Sequence, residues 1–261
     1  EIVFAARARQ GGAEFGEGQR PREREQAAAL RQKRACRFRY RRIEVEEAVE
    51  LLDQLVAEFV ERGLNTIRKT LQEGVERKIF AHEEADAIVS RIKGSSDTNA
   101  VADADLVIEA VFEDKGVKSD LFKKLDKICS LKTILATNTS TLPISDLAGA
   151  SVRPEQFIGI HFFSPVDKMP LVEIILGEKT NDEALARSLD YIRQIRKTPI
   201  VVNDSRGFYT SRVFSTFTAE GISMLAEGVQ PALIENAAKL AGMPVGPLAV
   251  TDEVTIELAW K

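Results

Sequence analysis

From about residue 43 onward, short apolar runs alternate with longer segments whose apolar positions recur at helical spacing. The runs are typical of buried strands and the longer segments of amphipathic helices. Strands are predicted at 49–53, 105–110, 133–137, 157–161, 171–175 and 199–202, and helices at 56–78, 82–92, 117–128 and 182–195. The alternation predicts an α/β fold with a doubly wound, Rossmann-like, mostly parallel sheet covered by helices on both faces.

The pattern changes after residue 204. Residues 208–227 and 231–240 have helical spacing, and no further strand pattern follows before Lys261. The predicted organisation has three segments: an atypical arginine-rich one at 1–42, a Rossmann-like domain at 43–204 with a compromised first βα unit, and the beginning of an all-helical domain at 205–261. We expect the helical domain to be incomplete at Lys261.

The segment from Arg20 to Arg42 contains nine arginines in 23 residues and has no clear helical or strand period. A solvated or disordered arm is one interpretation, and a basic patch for phosphate groups is another. Interleaved glutamates and few aromatic residues favour the arm. The abrupt composition also allows a third hypothesis, that a frame error or unrelated sequence has replaced the original segment.

Composition limits the function classes. The chain has 261 residues, of which 44% are hydrophobic, and a net charge of -4, so nothing at this level indicates nucleic acid. No apolar run approaches the roughly 18 residues of a membrane span. Cys36 and Cys129 lie far apart without a CxxC motif, which predicts reduced thiols and a cytoplasmic protein. With only two histidines and no ligand cluster, no metal site is predicted.

One histidine and one glutamate stand out. His161 closes a predicted strand, and ligands of open parallel sheets bind beyond the carboxyl ends of the strands. A lone histidine at a strand end is more often structural than catalytic. However, Glu173 is the only charge within the apolar strand 171–175, and a buried carboxylate needs a partner. We therefore predict that the two pair, which suits a general base that works near neutral pH.

Two weaker signals are polar groups that follow predicted strands. The run 138–141 is either a cap for a short helix near Ile144 or a set of neutral donors and acceptors at the sheet edge. Asp53 ends the predicted strand 49–53 in the manner of an acid that binds the ribose hydroxyls of an adenine nucleotide.

Five ordered blocks carry a family resemblance. They are DLVIEAVFED (105–114), NTSTLPIS (138–145), IGIHFFSPVDKMPLVEII (158–175), TPIVVNDSRGFYTSRVF (198–214) and MPVGPLAVTDEV (243–254). Together they resemble 3-hydroxyacyl-CoA dehydrogenases, above all the dehydrogenase portion of the multifunctional α subunit of fatty-acid β-oxidation. The resemblance covers roughly residues 49–258 and implies NAD as the cofactor.

The resemblance also implies residue roles. By position, His161 is the catalytic base and Glu173 is its orienting partner. The implied cofactor contacts are Asp53, Val111, Phe112, Glu113, Lys118, Ser140 and Ser164. The implied substrate contacts are Asn138, Ser140 and Ser211. The implied reaction is the oxidation of an L-3-hydroxyacyl-CoA to a 3-ketoacyl-CoA. A homodimer, or membership of a β-oxidation complex, is implied if the helical domain is complete.

Three departures from the family pattern bear on function. Ser164 and Ser211 stand where many relatives have asparagine, and the helical domain stops at Lys261. The family also places a GxGxxG turn near residues 25–35, where this chain reads EQAAALRQKRA and has no glycine. Without glycine the backbone cannot closely approach a pyrophosphate.

Three hypotheses remain open. The chain is an active dehydrogenase, or it is an inactive module that binds acyl-CoA but cannot hold a dinucleotide. The third hypothesis, a related dehydrogenase of free 3-hydroxy acids, is disfavoured by the block-by-block resemblance.

Overall fold

The computed structural model describes the backbone of residues 2–10, 36–43 and 51–254, and the side chains of residues 58–253. The predicted position of the glycine turn, 25–35, therefore lies outside the described residues. The chain forms two compact units, Glu1–Arg206 and Gly207–Lys261.

The first unit is built on one sheet of seven strands. They are β1 (Ile2–Gln10), β2 (Cys36–Ile43), β3 (Leu106–Ala110), β4 (Ile134–Thr137), β5 (Phe157–Phe162), β6 (Leu171–Leu176) and β7 (Thr198–Asn203). Their order across the sheet is β2-β1-β3-β4-β5-β6-β7. The five strands from β3 to β7 are mostly parallel, because only the β5–β6 pair among them is antiparallel. This confirms the predicted Rossmann-like fold class.

Helices of the first unit connect and cover these strands. They are α1 (Leu51–Glu76), α2 (His82–Val89), α3 (Lys115–Ile128), α4 (Ile144–Ala148) and α5 (Asp182–Gln194). Side chains define two of the helix starts, since Asp114 accepts from the Val117 amide at α3 and Asn181 accepts from the Ala184 amide at α5. The β5–β6 connection, residues 163–170, contains no helix, and it reverses the chain into the antiparallel partner strand.

The core lies between the central strands and α5. Its buried apolar side chains come from alternate positions of β3 to β6 and from one face of α5: Leu106, Ile108, Ile134, Ala136, Ile158, Ile160, Val172, Ile174, Ala184, Tyr191 and Ile192. Burial of a continuous apolar surface on this scale is the main force that holds the sheet and helix together. The polar groups at the strand ends are thereby held on a rigid frame.

One sequence prediction about the first 53 residues is wrong. Residues 51–53 begin the helix α1, so Asp53 lies in a first helical turn and not at the end of a strand. The short run 49–52, apolar except for Glu50, is equally compatible with either element, and here it continues at helical spacing. Within the arginine-rich segment, residues 36–43 form the strand β2, in which Phe38 and Tyr40 alternate with arginines at the strand period.

The direction of β1 bears on ligand binding. This strand fills the place beside β3 but runs antiparallel to it, with Ile2 opposite Ala110 and Ala6 opposite Leu106. The carboxyl end of β1 therefore lies at the opposite edge of the sheet from the carboxyl ends of β3, β4 and β5.

The second unit is helical in the residues that the structure describes. Its helices are α6 (Thr210–Ala226), α7 (Pro231–Leu240) and α8 (Pro247–Val254). Helices α6 and α8 pack closely at Gly221. The absence of a side chain there allows the contact, since an added Cβ atom would collide with the ring of Pro247. Across the described part of both units, no helix is long and apolar enough to span a membrane.

Candidate active site

The predicted histidine–glutamate pair forms across two neighbouring strands. His161 of β5 lies directly opposite Glu173 of β6 in the antiparallel register, and His161 Nδ1 is 2.8 Å from Glu173 Oε2. The Glu173 side chain is fully buried, and only 7% of the His161 side chain is exposed. With Nδ1 committed to the carboxylate, Nε2 is the ring nitrogen that can serve a ligand. The ring of Phe163 packs on the imidazole with 4.6 Å between centroids.

Asn138 connects the end of β4 to the strand that carries the histidine. The side-chain Oδ1 atom of Asn138 accepts from the backbone amide of Phe162 at 2.8 Å, and the backbone amide of Asn138 donates to the backbone carbonyl of Glu109 at 2.8 Å. Since Phe162 directly follows His161, this side chain sets the distance between the 138–141 loop and the pair. Its Nδ2 group is then the donor that Asn138 can offer to a ligand.

The 138–141 loop is organised by one carboxylate oxygen. Glu113 Oε1 accepts from Thr139 Oγ1 at 2.5 Å, from the amides of Ser140 and Thr141 at 3.0 and 3.1 Å, and from Thr141 Oγ1 at 3.2 Å. Burial alone would raise the pKa of the Glu113 carboxyl. The Thr139 hydrogen bond, the Lys118 charge and the two loop amides outweigh burial and hold that pKa below its ordinary value. Glu113 is therefore anionic at neutral pH and holds Ser140 in place.

The structure places the other predicted site residues as follows. Val111 is half-buried at the end of β3, and Phe112 is 73% exposed beside it. Ser164 is exposed on the connection after β5. Ser211 lies in the first turn of α6, in the second unit, and is half-buried. The side chain of Asp53 lies outside the described residues.

Two carboxylates of this region have no counterpart in the sequence-based prediction. Glu109 of β3 is fully buried and contacts Lys118 of α3, and Asp204 accepts from the amides of Ile144 and Ser145 at the start of α4. The signal for Glu109 was present, because it is the only charge in the apolar run of β3, as Glu173 is in β6. Asp204 carries no such signal, since it acts 60 residues away along the chain.

No group of three or more histidine, cysteine, aspartate or glutamate side chains able to hold a metal ion occurs among the side chains that the structure describes. A buried imidazole–carboxylate pair and a loop of neutral donors thus lie at the carboxyl ends of the parallel strands β3, β4 and β5.

Comparison with known protein families identifies the class of protein to which the chain belongs. Residues 43–205 match the NAD binding domain of 3-hydroxyacyl-CoA dehydrogenase, and residues 207–261 match the C-terminal domain of the same enzymes. The chain therefore belongs to the 3-hydroxyacyl-CoA dehydrogenase family, as the resemblance predicted. The match to the NAD binding domain begins downstream of residues 25–35, where the glycine turn was expected.

Among curated proteins, the chain is 42% identical over 193 residues to the fatty acid oxidation complex subunit alpha of Shewanella amazonensis, a match that covers 74% of this chain. The corresponding subunit of Shewanella baltica is 40% identical over 210 residues, or 79% of this chain. The matches span only 27% and 30% of those relatives.

Solved structures of the family have the same fold. The (S)-3-hydroxybutyryl-CoA dehydrogenase of Ralstonia eutropha is 33% identical with a TM-score of 0.75, and the match covers 77% of this chain and 72% of that one. The 3-hydroxybutyryl-CoA dehydrogenase of Escherichia coli K12 is 32% identical with a TM-score of 0.75, and the match covers 83% of this chain and 45% of that one.

Proposed function

We propose that this chain oxidises the 3-hydroxyl group of an L-3-hydroxyacyl-CoA to a 3-ketoacyl-CoA, with NAD as the acceptor. The observation that carries the proposal is the buried 2.8 Å contact between His161 and Glu173, near the sheet edge that the carboxyl ends of β3, β4 and β5 form. Family membership and the dehydrogenase relatives support the reaction type. The cytoplasmic location expected from the sequence belongs to the same proposal.

In the proposed reaction, His161 Nε2 accepts the proton of the 3-hydroxyl as the C3–H bond breaks and the carbonyl forms. Glu173 keeps the imidazole in the tautomer whose Nε2 is unprotonated, and it stabilises the imidazolium that results. Burial of the carboxylate strengthens this effect, because water does not screen the pair. In the reverse direction the same nitrogen returns the proton to the alkoxide.

The groups beside the pair fit the nicotinamide end of NAD, which when bound supplies the hydride acceptor. The half-buried Ser140, the anionic Glu113 and the backbone near Val111 and Phe112 offer donors and acceptors suited to ribose hydroxyls and a carboxamide. Ser164 belongs to this set by resemblance. The pyrophosphate end has less support, because no strand in the described ranges is directly followed by a Gly-x-Gly turn.

The thioester end of the site is assigned to neutral polar groups. Asn138 and Ser140 would contact the substrate's 3-oxygen and thioester carbonyl, and Ser211 is assigned to substrate binding by resemblance alone. Assembly as a homodimer, or within a β-oxidation complex, is part of the same proposal, supported by relatives that are fatty acid oxidation complex subunits.

Replacement of His161 by glutamine tests the proposal. General-base catalysis contributes about 10²–10⁴-fold, so kcat for NADH formation from 3-hydroxybutyryl-CoA should fall by about that factor with little change in KM. His82→Gln is a matched control, since His82 is the other histidine of the chain and is exposed at the start of α2. Wild-type turnover in His161→Gln would contradict the assignment.

A second candidate function is a module that binds acyl-CoA without a dinucleotide. The antiparallel β1 favours it, because this strand occupies the place beside β3 with its carboxyl end at the sheet edge opposite the carboxyl ends of β3, β4 and β5. Isothermal titration with NADH and with acetoacetyl-CoA separates the two candidates. Binding of both ligands supports the dehydrogenase, and binding of acetoacetyl-CoA alone supports the module.

A further inference from the structure

Glu109 is a fully buried carboxylate that the proposed reaction does not use. Its Oε1 atom accepts from Lys118 Nζ at 2.7 Å and from the Val111 amide at 2.6 Å, and its Oε2 accepts from Thr137 Oγ1 at 2.6 Å. These contacts link the ends of β3 and β4 with the first turns of α3. Burial of an ion is costly, so each of these hydrogen bonds is needed to keep the charge in place.

Lys118 is committed to protein acceptors. An ammonium group has three donors, and Lys118 Nζ lies 2.7 Å from Glu109 Oε1, 3.3 Å from the Val111 carbonyl and 3.4 Å from Glu113 Oε2. Only 1% of the Lys118 side chain is exposed. Its charge therefore acts on the two carboxylates that it joins.

The two carboxylates joined by Lys118 differ in burial and in the segments that they contact. Glu109 is anchored within the sheet, whereas Glu113 is 38% exposed and carries the loop that contains Ser140. A continuous series of contacts thus runs from the sheet interior to the loop: Glu109, Lys118, Glu113 and then the amides of Ser140 and Thr141.

We propose that Glu109 is a positioning residue, which acts through the Lys118 ammonium and the Glu113 carboxylate to hold Ser140 beside the His161–Glu173 pair. This inference rests on the proposed function for its catalytic consequence, but its structural part can be tested without any ligand.

Glu109→Gln is the informative substitution. The amide keeps the shape of the side chain but removes the charge that holds Lys118, so the ammonium loses its anchor in the sheet and no longer fixes the position of the Glu113 carboxylate. Amide hydrogen exchange at Ser140 and Thr141 should then accelerate about tenfold or more, as expected for the loss of one loop hydrogen bond.

Asp126→Asn is the matched control. Asp126 lies at the other end of α3 and forms a buried ion pair with Arg153, with 2.8 Å between Oδ1 and Nε. Both substitutions remove one carboxylate charge from a buried pair on the same helix, so both should lower the melting temperature. Only Glu109→Gln should change exchange in the 138–141 loop.

Ligand binding and turnover supply the functional measurements. For Glu109→Gln, the Kd of acetoacetyl-CoA should rise about tenfold, KM should rise similarly, and kcat should stay within about threefold because His161 and Glu173 are untouched. A purely structural role would lower the melting temperature as in Asp126→Asn and would leave the Kd unchanged at a temperature where both variants are folded.

The double variant Glu109→Gln/Lys118→Met guards against failure of the single variant to fold, since it removes both charges of the buried pair. It should regain thermal stability while its loop exchange stays fast. Wild-type exchange at Ser140 and Thr141 in either Glu109 variant, or equal acceleration in Asp126→Asn, would overturn the inference. If the wild-type chain binds no acetoacetyl-CoA, the proposed function fails, while the exchange result still decides the role of Glu109.

Discussion

Replacing Glu173 with glutamine would remove the negative charge beside His161 while keeping nearly the same side-chain shape. Glu173 is fully buried within β6, and its Oε2 lies 2.8 Å from His161 Nδ1. The glutamine carbonyl can still accept from Nδ1, so the tautomer is retained. What is lost is the attraction between the carboxylate and the imidazolium that forms as the substrate proton is taken.

The magnitude follows from the geometry. At an effective dielectric constant of about 20, unit charges about 3 Å apart attract by roughly 5–6 kcal/mol. A neutral hydrogen bond recovers about half of a charge-assisted one, which leaves a loss of about 3 kcal/mol in the transition state. Since each 1.36 kcal/mol is a factor of about ten, kcat should fall on the order of 10²-fold.

The assay is steady-state oxidation of 3-hydroxybutyryl-CoA, followed by NADH formation at saturating substrate and cofactor, with folding checked by circular dichroism. Glu178→Gln is a suitable control, because Glu178 is an exposed carboxylate two residues beyond β6. It should have wild-type kcat. If folded Glu173→Gln retains kcat within about threefold of wild type, the carboxylate does not stabilise an imidazolium, and the general-base reasoning is refuted.

Two further predictions concern the cofactor and the buried thiol. The chain should bind NADH at least about a hundredfold more weakly than a chimera in which residues 1–48 are replaced by a strand–GxGxxG–helix segment. The reason is that charge-assisted hydrogen bonds to the pyrophosphate are worth about 1.5–3 kcal/mol each. Titration of both proteins with NADH measures the difference, and equal affinities would contradict the prediction. Burial raises the pKa of the Cys129 thiol to about 11, so near pH 8 it should react with iodoacetamide about a hundredfold more slowly than in the unfolded chain. Mass spectrometry of the Cys129 peptide measures that rate independently of Cys36, and equal rates in the two states would contradict burial.

The pairing of His161 with Glu173 shows which part of the site can be predicted from local sequence. A single acid within an apolar strand requires a buried partner, and a histidine at the end of the preceding strand is the nearest candidate, so the pair was predictable. The antiparallel register that brings the two residues face to face was not. This register depends on the helix-free 163–170 connection, which reverses the chain so that β6 pairs antiparallel with β5.

Asp53 shows where local sequence fails. Residues 49–53 read Val-Glu-Leu-Leu-Asp, a short and mostly apolar run that ends in an acid, which is compatible with a buried strand and equally with the first turn of a helix. A four-residue window does not distinguish the two periods. Only the longer context, in which apolar positions continue at helical spacing to Glu76, distinguishes them, and the structure has the helix.

By itself the sequence determined the fold class, the positions of the strands from β3 to β7 and the histidine–glutamate pair. These depend on periodicity and on burial, which act between residues close together in the chain. The family was also readable from the sequence, but through the resemblance of five motif blocks and not through periodicity. Only the tertiary structure decided the antiparallel direction of β1 and the link from Glu109 through Lys118 and Glu113 to the Ser140 loop. Strand direction and ion-pair partners depend on how distant segments pack, and the same local pattern permits many such arrangements.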